Sequence, residues 1–99
     1  MEIKNYKKIS LLKNQKKKIV LCHGVFDLLH VGHVKYFEQA KKLGDILVVS
    51  VTSDNFVNKG PLRPVFNIEQ RIEIIKKLEV VDFVVKSDFQ TAKEVIEKI

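Results

Sequence analysis

The sequence predicts an α/β domain built on a parallel sheet, and three observations carry that prediction. Short apolar runs recur along the chain at Ile19-Val20-Leu21-Cys22, Ile46-Leu47-Val48-Val49-Ser50-Val51 and Asp82-Phe83-Val84-Val85. These runs are continuous instead of alternating, as expected of strands covered on both faces. Each is followed by a stretch with helical periodicity, and strand-helix alternation of this kind favours parallel pairing through crossovers.

The helical stretches carry recognisable ends. From Gly32 to Leu43, the apolar residues Val34, Phe37, Ala40 and Leu43 share a stripe, while Lys35, Glu38 and Lys42 lie opposite. Gly44 follows as a helix-ending glycine. The next helix opens after Asn67, with Gln70 at the capping-box position and Ile68, Ile72, Ile75 and Leu78 on the buried side. Thr91 and Glu94 form another capping box, ahead of Val95, Ile96 and Ile99. A further helix is expected from about Asn5 to Asn14, with Tyr6, Ile9 and Leu12 on one side. Residues 1–18 are thus read as a basic N-terminal segment and 19–99 as the α/β domain.

Ninety-nine residues, 45% of them hydrophobic, suffice for one small core. The 18 Lys and Arg residues against 12 Asp and Glu give a formal charge of +6, which favours anionic ligands without choosing among them. Lys7, Lys8, Lys13, Lys16, Lys17 and Lys18 concentrate that excess near the N-terminus, where a solvated face is the ordinary explanation. No aromatic stacking pattern or nucleic-acid motif accompanies them, so nucleic acid is not an expected partner. Cys22 is the single cysteine, which excludes an intrachain disulfide. No apolar run is long enough for a signal peptide or a bilayer span, and a soluble cytoplasmic protein is the expectation.

In such sheets, ligands sit beyond the carboxyl ends of the strands. The first such connection reads Gly24-Val25-Phe26-Asp27-Leu28-Leu29-His30-Val31-Gly32-His33. It brings two histidines and a glycine to a helix entrance, where backbone N–H groups and the helix dipole attract anions. Gly32 would admit a phosphate close to the backbone. His30 and His33 could then stabilise developing charge. Two other readings stand beside this one. The histidines could cap the helix or fill a polar niche, or they could ligate a metal, although no third ligand has a natural spacing. The run lacks the Gly-Lys-Ser/Thr ending of a Walker A loop.

Gly24 to His33 resembles the signature of the cytidylyltransferase-like nucleotidylyltransferases, in which a His-x-Gly-His segment opens the first helix. The likeness continues through Leu43-Gly44-Asp45, Thr52-Ser53-Asp54, Lys59-Gly60-Pro61-Leu62-Arg63-Pro64-Val65 and Glu69-Gln70-Arg71. Those later segments are similar to the nucleotidylyltransferase domain of ADP-heptose synthases and, less closely, to glycerol-3-phosphate cytidylyltransferases.

The resemblance implies a Rossmann-like parallel sheet with flanking helices. It also implies transfer of a nucleotidyl group from ATP or CTP to a phosphorylated sugar or polyol, with release of pyrophosphate. By carry-over, His30, His33, Lys59 and Arg71 are the expected catalytic residues, and Gly24, Val25, Phe26, Asp27, Gly32 and Arg63 the nucleotide-binding ones. Mg²⁺ is expected to accompany the triphosphate, and a homodimer is compatible with the family. Arg71 has support of its own, because a cation in a helix's first turn opposes the dipole unless it faces an anion. Asp27 is expected to organise the loop, either by hydrogen bonds or through the metal, and Phe26 to belong to the core.

Two departures accompany the likeness. His23-Gly24 stands where relatives carry Asn-Gly, placing a third histidine near the site. The family's later strands and Ser/Thr-rich segment have no counterpart before Ile99, so the domain reads as truncated after its third strand-helix unit. A nucleotide-binding remnant without turnover is therefore the alternative to an enzyme.

Overall fold

The structure, a computed structural model, describes residues 2–56 and 66–87. Along these residues run α1 (Glu2–Asn14), β1 (Ile19–Gly24), α2 (Val31–Lys41), β2 (Ile46–Thr52), α3 (Ile68–Lys76) and β3 (Phe83–Ser87), with one 3-10 turn at Asp54–Phe56. The strands form a parallel sheet in the order β1-β2-β3. This is the expected α/β, Rossmann-like arrangement, and each continuous apolar run is a strand. Lys59, Arg63 and the helix expected from Thr91 lie outside the described residues.

Side-chain alternation along β2 splits the core into two layers. Leu47, Val49 and Val51 face α2 and α3, where they pack with Cys22, Phe37, Ala40, Ile68, Ile72, Ile75 and Val84. Val48 points the other way and meets Ile9 of α1 and Val85. Both faces of the central strand are thus covered, which is why it reads as apolar almost throughout. Phe37 is fully buried, and burial of such a side chain contributes about 1.5–3 kcal/mol. The basic N-terminal segment is part of this core, because α1 supplies the fully buried Ile9 while Lys7, Lys8 and Lys13 stay exposed.

Helix ends follow local chemistry, with one difference from expectation. α3 begins as its sequence indicates: Gln70 N–H donates to Asn67 Oδ1 at 2.9 Å and Asn67 N–H to Gln70 Oε1 at 3.2 Å. α2 stops at Lys41 with Lys42 as its C-cap, so Gly44 lies beyond the cap. Gly44 is required instead for close approach: a Cβ there would sit 2.8 Å from both Lys18 O and Val20 Cγ2. α1 closes at Lys16, whose φ of 65° lies in the left-handed region where glycine is customary. Lys16 N–H bonds Lys13 O and Lys17 N–H bonds Leu12 O, completing the paired closing bonds of a Schellman turn.

At the amino end of the sheet, Asp82 accepts both the Leu47 N–H and the Lys41 ammonium. This joins the end of α2 to β2 and β3, and leaves the opposite, carboxyl end of the strands for the site.

Candidate active site

β1 ends at Gly24, and the chain then turns sharply. Phe26 adopts φ 51°, a left-handed conformation that costs a residue with a Cβ about 1–2 kcal/mol. The turn folds the Phe26 ring back over Gly24, where a Cβ would lie 2.8 Å from Phe26 Cζ. A side chain at position 24 would therefore have to displace the Phe26 ring. The Phe26 ring makes edge contacts with Phe37, centroids 5.2 Å apart, and with His33 at 5.6 Å. Phe26 packs against the core cluster, as expected, and also touches the histidine pair.

His30 is the N-cap of α2, with φ −139° and ψ 179°. Gly32 N–H donates to His30 Nδ1 at 3.0 Å, and His30 N–H donates to His33 Nδ1 at 3.1 Å. The two rings lie 4.1 Å apart. This is a capping box built from histidines, and it uses Gly32 in an unforeseen way. A Cβ at Gly32 would sit 2.7 Å from His30 Cε1, so the space left by the glycine is taken by the His30 ring.

The cap sets the chemistry of both imidazoles. Each Nδ1 accepts a backbone N–H, so the neutral ring carries its proton on Nε2. Nε2 is then the donor atom of each ring, on an exposed residue at position 30 and on a half-buried one at position 33. Donors of fixed tautomer at a helix N-terminus suit an anionic group.

Asp27 is 5% exposed, and its Oδ1 accepts the Phe66 N–H at 3.0 Å. It organises the loop as expected, by hydrogen bonding across to the segment that opens α3. Arg71 is 1% exposed, and the anion it faces belongs to the chain itself: its Nη2 donates to Asp54 Oδ1 at 2.6 Å. Its Nη1 donates to Val25 O at 2.7 Å and Thr52 O at 2.8 Å, and its Nε to Phe66 O at 3.0 Å. Asp54 is thus more than a turn residue. Val25 enters the site through its carbonyl, held by Arg71. His23 lies on the opposite sheet face from α2, with Nδ1 2.6 Å from Ser50 Oγ.

Several contributors had no readable signal in the sequence. The Thr52 carbonyl and both backbone groups of Phe66 act as anchors. Ser53, 6% exposed, follows β2 and carries a buried hydroxyl with no hydrogen-bond partner among the described residues. A groove of about 500 Å³ lined by Phe66, Glu69, Gln70, Glu73 and Ile74 runs along α3, but its carboxylates are the wrong charge for a triphosphate. Among the described residues no group of three or more His, Cys, Asp or Glu side chains could hold a metal ion.

A parallel sheet with a histidine-capped helix at its carboxyl end, and loops tied down around that cap, defines a Rossmann-like domain. Residues 21–99 match the family described as cytidylyltransferase-like, and the chain belongs to that family. It is 45% identical over 103 aligned positions to the bifunctional protein HldE of Sulfurimonas denitrificans, covering 98% of this chain and 22% of that protein. To the HldE protein of Blochmanniella pennsylvanica it is 52% identical over 79 positions, covering 78% and 17%. The chain thus spans about a fifth of the length of these curated relatives. Among solved structures, a lipopolysaccharide core biosynthesis protein from Thermoplasma volcanium superposes with a TM-score of 0.71 at 39% identity, over 82% of this chain and 67% of that one.

Proposed function

We propose that this chain is a nucleotidyltransferase domain that transfers a nucleotidyl group from ATP or CTP to a phosphorylated sugar or polyol. Family membership and the likeness to HldE proteins support the reaction class. The observation that carries the reading is the histidine capping box, which presents two Nε2–H donors at the helix entrance beyond β1.

An oxygen of the acceptor phosphate attacks the α-phosphorus in line. The bond from that phosphorus to the bridging oxygen breaks, and pyrophosphate leaves with the electron pair. Nothing covalent forms on the protein, so its contribution is positioning and charge stabilisation. His30 and His33 donate to phosphate oxygens as charge builds, while the Gly24–Asp27 turn shapes the nucleotide side and Gly32 leaves room for the His30 ring that does the donating. Lys59 and Arg63 supply further positive charge. Mg²⁺ would arrive with the triphosphate and neutralise part of its charge, as is usual for this ion.

A second reading has one specific observation behind it. The capping bonds already employ one nitrogen of each imidazole, which a purely structural cap would explain. Pyrophosphate release decides between the two, with Mg²⁺ present and ATP and CTP each paired with heptose 1-phosphate and glycerol 3-phosphate. Release that needs both substrates supports the transferase. Nucleotide binding with no release in any pairing supports the binding remnant.

A further inference from the structure

We infer that Arg71 is a positioning residue that sets the orientation of His33 through Phe26. Its kinetic consequence rests on the proposed transferase reading, while its structural consequence does not. The argument begins with Phe26, which occupies the left-handed region at φ 51° without being glycine. Such a residue keeps that conformation only where its surroundings over-determine it.

Here the surroundings form a closed circuit. On one side of Phe26 the Val25 carbonyl is held by Arg71 Nη1, and on the other the Asp27 carboxylate accepts the Phe66 N–H. Arg71 Nε then closes the ring by donating to Phe66 O. The two remaining bonds fasten the guanidinium itself to the end of β2, at Thr52 O and Asp54 Oδ1. The held turn places the Phe26 ring edge-on against His33, at 5.6 Å between centroids.

A guanidinium buried to this depth is poorly explained by stability alone, because a well-packed apolar side chain commonly serves a core as well or better. What only the planar fork provides is several carbonyls held at fixed relative positions. Val25 O and Thr52 O are held by Nη1 and Phe66 O by Nε, whereas the three N–H donors of a lysine all radiate from one nitrogen and do not reproduce that spread.

The test is the full chain carrying Arg71→Lys, with histidine ring resonances followed by NMR and folding checked by circular dichroism. His23 serves as the internal control, because it lies on the other sheet face against Ser50. The expected result is that the His33 resonances move while those of His23 stay, and that Phe26→Leu moves His33 in the same way. In the pyrophosphate assay kcat should fall roughly tenfold to a hundredfold, with the nucleotide dissociation constant changed by less than about threefold. Unmoved His33 resonances in a folded variant, or His23 and His33 shifting alike, would overturn the inference. If Arg71→Lys does not fold, Asp54→Ala carries the same test, since it removes one partner through a side chain 40% exposed. A wild-type chain without turnover sinks the transferase reading and leaves the NMR result to decide the role of Arg71.

Discussion

Replacing His30 with two different residues separates the two jobs that the structure and the proposed chemistry give it. As a cap, it accepts the Gly32 N–H through Nδ1. As a proposed phosphate contact, it donates from Nε2. His30→Ala removes both. Loss of an N-cap costs about 0.5–2 kcal/mol, and 1 kcal/mol lowers the melting temperature of a domain this size by about 4–8 °C. His30→Asn restores a short side-chain acceptor, among the best of N-caps, but has no group at the position of Nε2. Removal of one donor to a developing oxyanion costs about 2.7–4 kcal/mol, or roughly 10²–10³ in kcat. The Asn variant should therefore melt close to wild type and still lose pyrophosphate release by that factor, whereas the Ala variant loses both. Thermal denaturation by circular dichroism and the pyrophosphate assay read the two quantities independently. An Asn variant with near wild-type turnover would show that His30 only caps the helix, and the charge-stabilisation argument would fail for it.

Three further outcomes follow from local geometry. Lys16→Gly relieves a left-handed residue at the end of α1, worth about 1–2 kcal/mol against about 0.4–1 kcal/mol of added unfolded-state entropy, and should raise the urea midpoint; an unchanged or lower midpoint would contradict the strain. Gly44→Ala drives a Cβ to 2.8 Å from the Lys18 carbonyl oxygen, a backbone atom with little room to yield, and should cost about 1–3 kcal/mol. Burial raises the Cys22 thiol above its ordinary pKa, with the Tyr36 hydrogen bond opposing in part. Alkylation of the native protein at mildly alkaline pH should thus be slow and become fast on unfolding. Because the folded-state value is the higher one, this group's contribution to stability is complete below the unfolded pKa and is lost as pH rises through the folded one. Rapid native-state labelling at that pH would refute the assignment.

The sequence by itself determined the element order, because its signals act over a few residues. Asn67 and Gln70 are three positions apart, and that distance is enough to start α3. The apolar run Ile46–Val51 declares a strand covered on both faces before any partner is known. The signature Gly24–His33 marked the place of the candidate site by its position between a strand and a helix. Within that site the histidines and glycines were legible as residues, but their contacts were not. That Gly32 makes room for the His30 ring, and Gly24 for the Phe26 ring, depends on side-chain directions set by the fold. Arg71 shows the limit most clearly. Its unfavourable place in a first turn called for an anion, but Asp54 lies 17 residues away and Val25 lies 46 away. Only the parallel sheet, which sets the ends of β1 and β2 side by side and brings α3 across them, makes these groups neighbours. Local preferences choose helices and strands, while the meeting of distant backbone carbonyls around one buried guanidinium exists only once the chain has packed.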